Sequence, residues 1–266
     1  MTSPRRFLDQ PNTAAKIIAR YCAPNRVPET SYATVRDYCD SVDHLPQITG
    51  LDGDLKNVQR PWTIKALLRN VPPPAPLLEI GGGEPIVSGF LSELGYDVTL
   101  VDPYDGSGNG PIDYETYLRS FPNVKIVRGC FEPRMAEFRP ASFAGIFSIS
   151  VLEHLFNHAA DSCFHAITEF LAPGGASIHC FDFILQGIGQ EHDLTNARNI
   201  LTHQSRLSRY SHDDELSHLL DRLKGDVDTF FLSPQGHHLW RGGLPYEKFP
   251  FRKVVSLQTI ALLPAS

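Results

Sequence analysis

The sequence predicts an α/β fold with a doubly wound, mostly parallel sheet. Three observations carry that expectation. The run Leu77-Leu78-Glu79-Ile80 stops at Gly81-Gly82-Gly83, as a buried strand does when it ends in a tight loop. A second run, Asp97-Val98-Thr99-Leu100-Val101-Asp102, ends in a carboxylate. Beyond it, short apolar runs alternate with helical stretches as far as strand 176–181. Strand, glycine loop, helix, strand, acid is the layout of a nucleoside-binding domain, in which the acid reaches a ribose diol. Glycine suits such a loop because a Cβ would stand between the backbone and a ligand.

Residues 1–74 read as a helical, peripheral cap. Ile17, Ile18 and Tyr21 have helical spacing, 32–42 is amphipathic, and Pro61 opens a helix over 61–69 as a first-turn proline does. The prolines of 71–76 cannot continue that helix and mark the boundary with a core over 75–266. In the core, strands are expected at 77–81, 97–102, 123–128, 144–150 and 176–181, with helices at 85–95, 113–120 and 158–171. Residues 183–250 break the alternation and read as an insertion roofing the substrate side. Within it Ser211 starts a helix whose Asp213, Asp214 and Glu215 are first-turn charges. A sixth strand is expected at 227–232 and a long final one at 253–262.

The 266 residues, 42% of them hydrophobic, suffice for one such domain with additions. A net charge of −6 without a dense Lys/Arg run argues against nucleic acid as the main partner. No stretch approaches the roughly 18 apolar residues of a membrane span, and no apolar segment follows Arg5-Arg6 to make a signal peptide. The five cysteines are scattered without CxxC spacing, the pattern of reduced thiols, so a cytoplasmic protein is expected. Nothing fixes the oligomeric state, and a homodimer stays open.

The core resembles the class I, Rossmann-like S-adenosylmethionine-dependent methyltransferases over roughly residues 75–182. Four segments carry the likeness in register: Leu77–Gly83 for the E-x-G-x-G motif, Val98–Asp102 for the strand with the ribose acid, Ser150-Val-Leu-Glu-His-Leu155, and Leu171-Ala-Pro-Gly-Gly175. The resemblance implies a seven-stranded sheet with an antiparallel last strand, S-adenosylmethionine as cofactor and S-adenosylhomocysteine as product. It further implies that Gly81, Gly82 and Gly83 pass the methionyl part, and that Glu79 acts near its amino group. Asp102, with Pro103 after it, would hold the ribose; Phe131 would pack on adenine, and Ser150 and Leu152 would line the pocket floor. Two positions depart from the pattern. Pro85 stands where a third glycine is usual, and Cys130 replaces an acid that meets the adenine amine, a role open to Glu132. A nicotinamide dinucleotide site would want a glycine at Ile86.

Methyl transfer needs in-line alignment and exclusion of water, and an oxygen nucleophile also needs a base. Histidine suits that task near neutral pH. Six of the 11 histidines follow residue 190. His154, in the segment bordering the methyl site, and His192, between Glu191 and Asp193, are the candidate bases; the competing readings are a structural histidine and a charged surface loop. His154 and His158 share a helical spacing but lack a third local ligand, so no metal site is expected. His237, His238, Trp240 and Arg241 are candidates for a substrate wall, against the plainer reading of a loop anchored by one Trp. The expected activity is O-methylation of a small-molecule or glycan hydroxyl. N- or C-methylation of a natural product and a non-catalytic S-adenosylmethionine-binding protein are the alternatives.

Overall fold

A computed structural model describes residues 4–10, 12–23, 26–106, 110–155 and 158–265, with the side chains of 212–215 outside the description. The first-turn charges Asp213, Asp214 and Glu215 fall on those side chains.

Seven strands form one sheet in the order β1-β7-β6-β5-β2-β3-β4. They are β1 (Glu29–Tyr32), β2 (Pro76–Ile80), β3 (Asp97–Asp102), β4 (Lys125–Arg128), β5 (Phe143–Ile149), β6 (Leu171–Gln186) and β7 (Lys253–Leu262). The central pairs β3–β4, β2–β3, β2–β5 and β5–β6 are parallel, and β7 runs antiparallel to both β6 and β1. The helices are α1 (Thr13–Tyr21), α2 (Val35–His44), α3 (Lys56–Asn70), α4 (Ile86–Glu93), α5 (Tyr114–Ser120), α6 (His158–Phe170), α7 (Gln190–Ser208), α8 (His212–Gly225) and α9 (Pro234–Arg241). Among the described residues no helix is long and apolar enough to cross a membrane.

Alternation along each strand feeds two cores, because successive side chains point to opposite faces. Leu77, Val98, Leu100, Phe147 and Ile178 pack with α3 and α4 residues such as Leu67 and Phe90. Leu78, Ile80, Val101, Ile146 and Phe181 pack with α6, α7 and α8 residues such as Ile167, Leu201 and Leu219. Both faces of the parallel strands are therefore covered, which is why they read as continuous apolar runs.

Three expectations are corrected. The segment before residue 75 is not only helical and peripheral: β1 closes the edge of the sheet on β7, tied by the Glu29–Arg69 ion pair at 2.6 Å. The expected sixth strand at 227–232 makes only two isolated bridges, Thr229 with Thr34 and Phe231 with Val255. The β7 edge from Leu257 to Ile260 already belongs to β1, so only its start is left for pairing. Finally, Pro61 lies inside α3 and does not open it. The helix starts earlier because Asp54 accepts from the Lys56 amide through Oδ1 (2.7 Å) and from the Asn57 amide through its carbonyl (3.1 Å). As the sixth residue of α3, Pro61 has no N–H to donate to the Asn57 carbonyl and its ring crowds that carbonyl, so its place in the helix carries a local cost.

Candidate active site

The C-terminal ends of β2, β3 and β5 converge on a cavity of about 520 Å³, the place where open α/β sheets hold ligands. Its wall is the glycine loop after β2. Gly81 and Gly83 have φ of +64° and +53°, a left-handed conformation that costs glycine nothing. A Cβ on Gly81 would come within 2.8 Å of Val151.

Asp102 at the end of β3 is clamped by this loop. Its Oδ2 accepts from the Gly83 amide (3.0 Å) and its Oδ1 from the Tyr104 amide (2.8 Å). Tyr104 then returns to the loop, its hydroxyl donating to the Gly83 carbonyl at 2.7 Å. Burial raises the Asp102 carboxyl above its ordinary range, while the two amides oppose the rise. Asp102 nevertheless lines the cavity, and each oxygen keeps acceptor capacity beyond its amide bond.

Glu79 stands behind the loop. It is buried, accepts from the Ser88 hydroxyl of α4, and burial pushes its carboxyl up to about 7. Gly82 sits over it: a Cβ there would meet the Glu79 carboxyl carbon at 2.6 Å. Glu79 and Gly82 thus shape the loop from beneath and are not part of the cavity wall.

The wall also includes Pro103, Cys130, Phe131, Glu132, Ser150 and His154. The Phe131 ring is largely buried, 5.9 Å from that of Phe170, with its remaining edge on the cavity. Leu152 lies in the core beneath the site and does not line it. Pro85 caps α4, which begins at Ile86.

Of the two candidate bases, His154 lines the cavity at the end of a short 3-10 turn, Leu152–His154. His192 is an exposed residue of α7 near Asn196 (3.3 Å), away from the cavity wall. The candidate substrate wall also lies elsewhere. His237 is buried with its ring 5.4 Å from that of Phe249, Trp240 donates to Asp54 at 2.7 Å, and His238 and Arg241 meet each other at 3.2 Å. Of these contacts, Trp240–Asp54 fastens α9 to the loop before α3; none of the four residues lines the cavity.

Sequence reasoning missed Tyr104 and a polar cluster beside Ser150. From α3, the buried Gln59 donates to Asp182 Oδ1 at 2.7 Å, and Lys56 donates to the Ile149 carbonyl at 3.4 Å. Ser150 hydrogen-bonds to Gln59 Oε1 (2.9 Å) and Asp182 Oδ1 (3.1 Å), and the Asp182 amide donates to Glu153 Oε1 (2.9 Å). In the sequence α3 belongs to the cap, more than 100 residues from β6, and nothing local links the two.

The profile of a family described as "Methyltransferase domain" matches residues 55–223. Two proteins of Mycobacterium tuberculosis, "Uncharacterized protein MT1557" and "Uncharacterized protein Rv1509", are each 28% identical over 156 residues, covering 55% of this chain and 49% of theirs. The chain thus aligns with about half the length of these curated relatives. Among solved structures, phosphoethanolamine N-methyltransferase 2 of Haemonchus contortus with S-adenosyl-L-methionine is similar at a TM-score of 0.44 and 19% identity, covering 76% of this chain and 52% of that one. A TehB-like SAM-dependent methyltransferase of Corynebacterium glutamicum gives a TM-score of 0.40 and 19% identity over 62% of this chain and 82% of its own.

Proposed function

The chain belongs to the family of methyltransferase domains, and from that premise we propose that it transfers the methyl group of S-adenosylmethionine to a hydroxyl of a small molecule or glycan. The observation that carries this reading is Asp102, a carboxylate anchored by two amides at a strand end and open to the cavity beside a glycine loop. Two hydroxyls of a ribose are matched donors for the remaining lone pairs of a carboxylate, and bonds to a charged acceptor are the stronger kind. The volume of about 520 Å³ lies within the range of small-molecule sites.

The sulfonium of the donor supplies an activated methyl group, so the chain's work is orientation and exclusion of water. Gly81 and Gly83 keep the backbone low where the methionyl part would pass, and the Phe131 edge offers an apolar face for adenine. Glu132, on the same wall as Cys130, would meet the adenine amine in its stead. Glu79 ties the end of β2 to α4 through the Ser88 hydroxyl, directly beneath Gly82. His154, which lines the cavity, would take the proton from an acceptor hydroxyl.

Calorimetry tests the cofactor part. S-adenosylmethionine and S-adenosylhomocysteine should bind with comparable affinity at one site per chain, and NADH should not bind. Binding of NADH with no response to either adenosyl compound would overturn the reading. A methyl-labelled donor incubated with hydroxyl, amine and carbon acceptors tests the acceptor atom: label on nitrogen or carbon alone would replace the O-methylation proposal.

A further inference from the structure

Two carboxyl groups beside the cavity have no part in the cofactor contacts proposed above. Asp182, partly buried in β6, faces Ser150 and Gln59 through Oδ1. Glu153 is 8% exposed, and its Oε2 is buried without a hydrogen-bond partner while Oε1 accepts from the Asp182 amide. Burial and the neighbouring Asp182 charge push the Glu153 carboxyl up, and Lys56 opposes them. Ser150 joins this cluster to the cavity: it lines the wall, and its φ of +50° is unusual for a residue other than glycine. A buried acceptor oxygen without a donor is costly, and such groups in native proteins call for an explanation.

We infer that this cluster is the recognition site for the methyl acceptor, and that it takes a polar head that donates hydrogen bonds, a hydroxyl or an ammonium, and rejects anions. The inference rests on reading the cavity as the S-adenosylmethionine site. Donors are what the cluster lacks. Gln59 donates to Asp182 Oδ1, the single Ser150 proton is shared between Gln59 Oε1 and that same oxygen, and the unpartnered oxygen of Glu153 lies in the same carboxyl pair. A carboxylate or phosphate would add a third acidic group to a pair in which Asp182 already opposes the ionisation of Glu153, with Lys56 as the cation beside them, and this disfavours it. Ser150 and Glu153 follow the C-terminal end of β5, and Ser150 lines the cavity, so a head held at the cluster would enter the cavity past Ser150, on the side away from Asp102, which ends β3 two strands over.

The test uses full-length protein saturated with S-adenosylhomocysteine and carrying 13C at its Asp and Glu side-chain carboxyls. Propylammonium, 1-propanol and propionate are titrated in turn, and the carboxyl resonances are followed. Saturable shifts of the Asp182 and Glu153 signals by propylammonium or 1-propanol, with propionate silent, are expected; the alcohol and the amine arms tell the two donor heads apart. Asp182→Asn should weaken that binding at least ~10-fold, as for a lost bond to a charged group. Ser150→Ala gives the same reading should the Asn variant fail to fold. Propionate acting as strongly as propylammonium, or silence from both donors, overturns the inference. S-adenosylhomocysteine affinity is measured in the same samples. Its loss would remove the cofactor reading itself, whereas intact affinity with silent carboxyls removes the acceptor inference alone.

Discussion

Asp102→Asn keeps the side-chain size and removes one acceptor. In the native protein each carboxylate oxygen accepts from one backbone amide, at 3.0 Å from Gly83 and 2.8 Å from Tyr104. The Asn oxygen satisfies one of them; its NH2 group then faces the other N–H, donor against donor. One ribose hydroxyl also loses its charged acceptor. A hydrogen bond to a charged group contributes about 1.5–3 kcal/mol, so S-adenosylhomocysteine affinity should fall roughly 10- to 100-fold. Isothermal titration of wild type and variant measures this, and calorimetric unfolding without ligand separates a disordered loop from a lost ligand contact. Unchanged affinity in a variant that unfolds as a single cooperative transition would refute the ribose assignment.

Tyr104→Phe removes the hydroxyl that ties the β3 loop to the Gly83 carbonyl. A net hydrogen bond is worth about 1 kcal/mol of stability, so the thermal midpoint should fall by about 2–4 °C in calorimetric unfolding. Gly82→Ala drives a methyl into the Glu79 carboxyl and the Leu100 side chain, both at 2.6 Å; overpacking of this kind costs about 1–3 kcal/mol, measurable by urea unfolding. His179 is buried between the Ser148 and Ser177 hydroxyls, at 2.8 and 2.7 Å, and burial pushes its pKa down to about 3. Below pH 6.5 the unfolded chain takes a proton that the folded one refuses, so stability falls with pH, by about 2 kcal/mol at pH 5. Buried Glu79, with its raised pKa, pulls the other way, so the check is the difference in pH slope between wild type and His179→Gln. Equal slopes would show that His179 is protonated in the native state.

What could be read in advance was local in the chain. Gly81, Gly83 and Asp102 each sit at the end of a short apolar run, and β7 was delimited to the residue, because strand ends announce themselves by turn chemistry and loss of apolar pattern. Gln59 and Asp182 belong to elements far apart in sequence, and their meeting depends on how α3 lies across β5 and β6. Trp240 misled for a physical reason: an indole N–H paired with Asp54 fastens a loop, and composition alone does not separate that from stacking on a ligand. The segment 227–232 has the composition of a strand, yet pairing also needs a vacant edge, and β1 had taken most of it.

The edge position of β1 has a consequence for how the chain is made. Glu29 pairs with Ile260, so β1 finds its partner only after the long stretch of chain between them has been synthesised. Roughly 200 residues at about 5–20 per second leave β1 waiting on the order of ten to forty seconds. For that interval it has no sheet to join, because β7 must first insert antiparallel beside β6. The contact is among the most non-local in the protein, the kind that slows folding. Its residues suit the wait: Glu29, Thr30, Ser31 and Tyr32 are polar enough to stay hydrated, whereas a bare apolar edge would invite association with other nascent chains.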